Sequence, residues 1–242
     1  MAEAAGRAGP DAPVPTCPDW LVRDLVRHTG GVHRWATGIV GGPRTQPWDV
    51  DLDDVVGSWP DDADLVDWFR AGHLALVATL EAADPALDCW TFLRAPSPLA
   101  MWARRQAHET TVHRVDAERA TGESSPVDPP LAADGVDELL TCFVTRRGGR
   151  LRADPARTLR VAATDAPGGW QVRIGPDGVE TRVASGRPAA GDLPADDDCL
   201  VKGPAADLYL ALWNRRGLDG LVVDGDGEVL ALFLDRVRVR WS

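Results

Sequence analysis

Apolar positions in the first part of the chain recur at helical spacing. Leu21, Leu25, Val32, Ala36 and Ile39 fall on one stripe, which predicts a long helix ending near Gly41-Gly42-Pro43. Thr16 as cap, Pro18 in the first turn and Asp19 at capping-box spacing mark its expected start. A second helix is expected over DADLVDWFRAGHLALVATLEAAD, with Leu65, Phe69, Leu76 and Leu80 inward and Pro85 as its stop. A third opens at Ser97-Pro98, a cap followed by a proline at the first helical position, and runs to Gly122. ESSPVDPP reads as linker. A fourth amphipathic helix then carries Val136, Leu139, Leu140 and Phe143 on one side and closes at Gly148-Gly149. Four such helices predict a bundle over residues 1–150.

Beyond that point the period shortens. TLRVAAT, GWQVRIG and VETRVAS are short alternating runs separated by Gly, Pro and Asp, which is the pattern of strands. GPAADLYLALWNRRG reads as a helix ended by Gly217, and GEVLALFLDRVRVRW fits helix, strand or one of each. Residues 151–242 are therefore expected to form a smaller α+β domain.

Length and composition agree with one large globular domain or two modest ones: 242 residues, 44% hydrophobic and 26% charged. The formal charge of −11 repels phosphate backbones and anionic membrane surfaces, and no run of basic residues offsets it, so nucleic acid and membrane are poor partners. Cys17, Cys89, Cys142 and Cys199 form no CxxC pair, which speaks against a zinc ribbon or disulfide framework and for a reducing compartment. MAEAAGRAGPDAPVP lacks the apolar core of a signal peptide, and a cytoplasmic location is expected. Oligomeric state is not legible.

All five histidines, His28, His33, His73, His108 and His113, lie in the helical half. AHETTVHR resembles a zinc-protease HExxH with its second histidine one residue late. At about 100° per residue, Glu109 and His113 differ by roughly 40° and share a face with Trp102, Gln106 and Ala117, whereas His108 and His113 differ by about 140°. The HExxH reading therefore fails, and Glu109 with His113 is the pair able to meet one ion. His28, in the middle of the first helix's apolar stripe, offers a third ligand from a facing helix. Two imidazoles and a carboxylate match catalytic zinc, while nickel, iron and manganese accept the same donors. The plainer alternative is a core histidine bonded to a carbonyl beside an ordinary helical Glu–His pair. His33, His73 and His108 are assigned to surface, rim or an outer layer of the site. Trp20, Trp35, Trp68 and Trp102 read as core or pocket wall. The GDGE stretch, Ser58 and Ser97 lack the settings that dinucleotide or nucleophile motifs need.

TCPDWLVRDLVRHTGGVHRWA followed by HETTVHRVDAE resembles the mycothiol-dependent maleylpyruvate isomerase family. The resemblance implies a DinB-like four-helix bundle followed by an α+β domain similar to sterol carrier proteins. It also implies a divalent metal, usually zinc, on His28, Glu109 and His113, with mycothiol as thiol cosubstrate. An arginine of the C-terminal domain is expected to act in catalysis, and Arg215 and Arg216 in WNRR are the nearest candidates. The reading is a thiol-dependent S-transferase or isomerase acting on a small electrophile bound between the domains. Maleylpyruvate isomerase proper, and a ligand-binding protein with a structural metal, are the alternatives.

Overall fold

The computed structural model describes residues 1–146, 148–184 and 196–239. The chain divides into two compact units, Met1–Ser125 and Pro126–Ser242. The division falls at the ESSPVDPP linker and not at residue 150, where the change of sequence grammar had placed it.

The first unit holds α1 (Ala2–Ala8), α2 (Val22–Gly41), the short α3 (Leu52–Val56), α4 (Leu65–Ala82) and α5 (Pro98–Ala120). Burial of Leu25, Ala36 and Ile39 confirms the predicted stripe of α2. Its start lies later than Thr16 suggested. The chain turns through hydrogen bonds from Cys17 N to Val14 O and from Trp20 N to Cys17 O, and α2 begins at Val22. The Asp24 carboxylate accepts from Leu21 N–H at 2.9 Å, satisfying a backbone donor that the first turn leaves open. α5 begins as read: Ser97 Oγ accepts from Ala100 N–H at 3.2 Å, with Pro98 in the first turn.

The segment expected to be the bundle's fourth helix belongs to the other unit. The alanine-rich N-terminus takes its place. Ala4 and Ala5 of α1 share one core with Val22, Leu25 and Val26 of α2, Leu65 and Phe69 of α4, and Ala117 of α5. Arg7 pairs with Glu123 just past the end of α5 at 2.6 Å. Side chains as small as alanine let α1 lie close against its neighbours, but they give the sequence almost no apolar contrast to read. Three tryptophans and a phenylalanine, Trp35, Trp90, Trp102 and Phe92, pack edge-to-face or tilted elsewhere in the unit.

The second unit opens with α6 (Pro129–Asp137), which continues as a π-helical stretch, Glu138–Phe143. α6 packs on α7 (Ala205–Leu212), and Gly135 is what allows the approach. A Cβ built there would lie 2.3 Å from the Tyr209 ring. The sheet runs in the order β3-β2-β1-β4-β5, from β1 (Arg157–Ala163), β2 (Gly169–Ile174), β3 (Val179–Val183), β4 (Cys199–Gly203) and β5 (Val222–Gly225). β1 pairs antiparallel with β2 and parallel with β4, while β4 and β5 are antiparallel, so the sheet is mixed. The first three strands coincide with the alternating runs read in the sequence. GEVLALFLDRVRVRW resolves into α8 (Gly227–Arg236), capped by Asp226, whose carboxylate accepts from Glu228 N–H. The last positions of that stretch, 240 and 241, and Ser185 of VETRVAS lie outside the described residues. Among the described residues no helix is long and apolar enough to cross a membrane.

Candidate metal centre

α2 and α5 place His28, Glu109 and His113 together. Nε2 of His28 and Nε2 of His113 each lie 3.1 Å from the same oxygen, Oε1 of Glu109. One ligand atom from each of the three lies within 4.8 Å of the others, and Glu109 and His113 are buried. The two imidazole rings meet edge-on at 5.2 Å between centroids. Trp20 packs 4.9 Å from the His28 ring and 6.2 Å from that of His113, forming an apolar wall.

A second layer holds these groups. Asp116, fully buried, accepts from His113 Nδ1 at 2.8 Å, which orients the ring and leaves Nε2, turned toward Glu109 Oε1, as the nitrogen that would give up its proton to an ion. Thr16 Oγ1 donates to the other Asp116 oxygen at 2.6 Å, so the residue expected to cap α2 instead positions the site. The Cys17 thiol donates to Asp116 at 3.8 Å. Arg105, 1% exposed, donates to Glu109 Oε2 at 3.3 Å, leaving Oε1 to the histidines.

Electrostatics follow from this packing. Burial pushes the Glu109 pKa upward, but His113, hydrogen bonds from both imidazoles, and Arg105 hold it well below the usual carboxylate range. Burial opposes protonation of His113, and the charge and hydrogen bonds of Glu109 and Asp116 overcome it, raising its pKa to about 9. With neutral imidazoles these groups set one guanidinium, Arg105, against two carboxylates, Glu109 and Asp116. A buried excess of negative charge calls for a cation, a proton or a metal.

His33 and His108 are fully buried, so they do not lie at the surface. His33 Nε2 lies 3.0 Å from Thr110 Oγ1, and its ring packs 5.3 Å from Phe69 and 5.6 Å from His73. Burial, with the neighbouring His73, lowers its pKa to about 3. Asp116 and Arg105 escaped the sequence reading, although a signal existed. Arg105, Glu109, His113 and Asp116 recur at four, four and three residues, which puts them within roughly 40° of Glu109 on one helical face. Arg215 and Arg216 follow α7 in the second unit. Arg216 is ion-paired with Asp207, and Arg215 Nη1 donates to Trp213 O at 2.9 Å.

Fold and site together describe a protein of two units, the helical one burying a constellation of metal-ligand type. Residues 1–118 match the profile of the mycothiol maleylpyruvate isomerase N-terminal domain, and residues 130–232 match that of the MDMPI C-terminal domain. The chain belongs to the mycothiol maleylpyruvate isomerase family, which makes it an enzyme of mycothiol-dependent isomerase or transferase type. Among solved structures, the crystal structure of the mycothiol-dependent maleylpyruvate isomerase aligns over 92% of this chain and 88% of the other, with TM-score 0.53 and 13% identity, a likeness of fold. The inverting sec-alkylsulfatase Pisa1 from Pseudomonas sp. aligns over 90% of this chain and 30% of its own, at TM-score 0.35 and 14% identity. The UbiJ-SCP2 ubiquinone synthesis protein aligns over 46% of this chain and 92% of its own, at TM-score 0.27 and 25% identity. No curated protein matches the chain in sequence.

Proposed function

We propose that His28, Glu109 and His113 hold a divalent cation, zinc by the chemistry of the donors, and that this centre serves the mycothiol-dependent reaction. The observation that carries the reading is the convergence of the three ligand atoms within 4.8 Å inside the helical unit. Two neutral imidazoles and one carboxylate are the donor set of a catalytic zinc, which keeps a further position for a reactant. A bound dication supplies the positive charge that makes a thiol acidic at neutral pH.

The remaining work falls to the chain's own side chains. Asp116 keeps the proton on His113 Nδ1, so that Nε2, which donates to Glu109 when no ion is bound, is the nitrogen that would take the ion. Arg105 engages Glu109 Oε2, which favours a single-oxygen contact through Oε1. Thr16 holds Asp116 in turn, and Trp20 covers the imidazoles on one side. Addition of the thiol sulfur to an electrophilic carbon, followed by loss of the same thiol, gives isomerisation; retention of the sulfur gives transfer. We assign recognition of a substrate carboxylate to Arg215 or Arg216, whose guanidinium geometry suits a two-point contact. Asp207 already neutralises Arg216, so that residue also braces the turn after α7.

The test is metal content of the purified protein, with and without added zinc, beside His28→Ala and His113→Ala. About one zinc per chain is expected in the wild type and a large loss in both variants. Activity is then assayed with mycothiol on maleylpyruvate and on a chlorobimane. A sulfur-free product from the former supports isomerisation, and a stable thioether from the latter supports transfer. Metal-free wild type that takes up no zinc would overturn the reading.

A further inference from the structure

The second unit contains a cavity of about 240 Å³. Its apolar lining includes Phe143, Val144, Leu151 and Val237, and four arginines stand around it: Arg146, Arg150, Arg236 and Arg238. The two walls are distant in the chain, one from the stretch after the π-helical turn, the other from the end of α8 and beyond. Both are anchored. Asn214 Nδ2 donates to Val237 O at 2.9 Å, and Val237 N–H donates to Phe233 O at 2.8 Å. On the other side Gly149 N–H bonds Arg146 O, and the Phe143 ring packs edge-on against Trp213 at 5.6 Å.

Charge is the unusual feature. The chain carries 37 acidic against 26 basic residues, yet the described lining of this cavity includes four arginines and no acidic residue. Arg236 pairs with its neighbour Asp235 at 3.2 Å, both largely exposed. Among the described residues no carboxylate pairs with Arg146, Arg150 or Arg238. All four arginines are exposed, and with no carboxylate in the described lining the local potential favours an anion. Guanidinium groups bind carboxylate and phosphate oxygens in a two-point manner that a lysine cannot reproduce.

We propose that this cavity is a binding site for a small organic anion, with the carboxylate or phosphate held by the arginines and an apolar body against Phe143, Val144 and Leu151. The volume falls below the roughly 300–1,000 Å³ of pockets for drug-sized ligands, which selects a compact molecule. A polyanion is disfavoured, because the net charge of −11 on the chain opposes its approach. The proposal stands independently of the metal centre.

Calorimetric titration of the full chain with benzoate, phenyl phosphate, acetate, inorganic phosphate and benzyl alcohol tests it. Saturable one-to-one binding is expected for benzoate or phenyl phosphate, and whichever binds more tightly identifies the headgroup. Acetate and inorganic phosphate lack the apolar body and benzyl alcohol lacks the charge, so each should bind at least about tenfold more weakly. The Arg150→Gln/Arg238→Gln double variant, with an unchanged melting midpoint, should lose about tenfold or more, while Arg70→Gln on the first unit should match wild type. His113→Ala separates the two sites. Binding that vanishes in His113→Ala and survives in the double variant belongs to the metal centre and overturns the proposal. So does failure of both aromatic anions to saturate, or benzyl alcohol binding as tightly as benzoate.

Discussion

His28 lies 81 positions from Glu109 in the chain and 3.1 Å from its Oε1. His113 stands at the same distance from the same oxygen, one helical turn along α5. One carboxylate oxygen thus receives an imidazole from its own helix and another from α2, and the site exists only when those helices pack.

Asp116 contacts His113 and not the other proposed ligands, so its removal tests the outer layer. Asp116→Asn should weaken zinc affinity about 10–100-fold, the usual effect of losing an outer-shell partner. His113→Ala should cost more. Competition against a chelator of known affinity measures both; an Asp116→Asn protein with wild-type affinity would remove the tautomer argument.

Zinc and a proton compete for His113. Its pKa is raised to about 9, so below that value a proton must leave as the ion enters, and zinc affinity should rise steeply between pH 6.5 and 9. The metal-free protein should behave in the opposite sense. A histidine whose folded pKa exceeds its unfolded value of about 6.5 contributes stability that is complete below 6.5 and lost as pH climbs through about 9. Melting midpoints of chelator-treated protein should therefore fall over that range relative to His113→Gln.

His33 makes the reverse prediction. Its pKa is depressed to about 3, so its neutral burial stabilises the fold above about 6.5, and that contribution is lost as pH falls from there toward 3. His33→Leu gives up the contact with Thr110 and should cost about 1 kcal/mol at pH 7. At pH 5 the deficit should shrink or change sign. Urea unfolding of both proteins at the two pH values decides, and an unchanged difference would refute neutral burial as the cause.

Replacing a helical glycine with alanine ordinarily stabilises by up to about 1 kcal/mol. Gly135→Ala in α6 should instead destabilise by about 1–3 kcal/mol, because the new methyl would meet the Tyr209 ring at 2.3 Å. A stabilised Gly135→Ala protein would mean that α6 and α7 separate more easily than their packing implies.

What could be read in advance was governed by local periodicity. The stripe of α2, the cap and first-turn proline of α5, and the alternation of β1 to β3 are properties of neighbouring residues, and each appears where expected. The two short strands β4 and β5 were missed, since CLVKG and VVDG are too brief to establish a period. α1 was missed because an alanine-rich helix shows little amphipathic contrast. Thr16 carried a genuine capping signal, but the turn at Cys17–Trp20 delayed α2 and left its hydroxyl to Asp116.

The sequence alone determined the donor types and their helical phase: Arg105, Glu109, His113 and Asp116 lie on one face because α-helical geometry is fixed. Tertiary structure decided which helices share the first core, that α1 and not the segment after the linker completes it, and that His28 meets Glu109. Those outcomes depend on side-chain volume and on contacts between residues far apart in the chain, which local spacing does not encode.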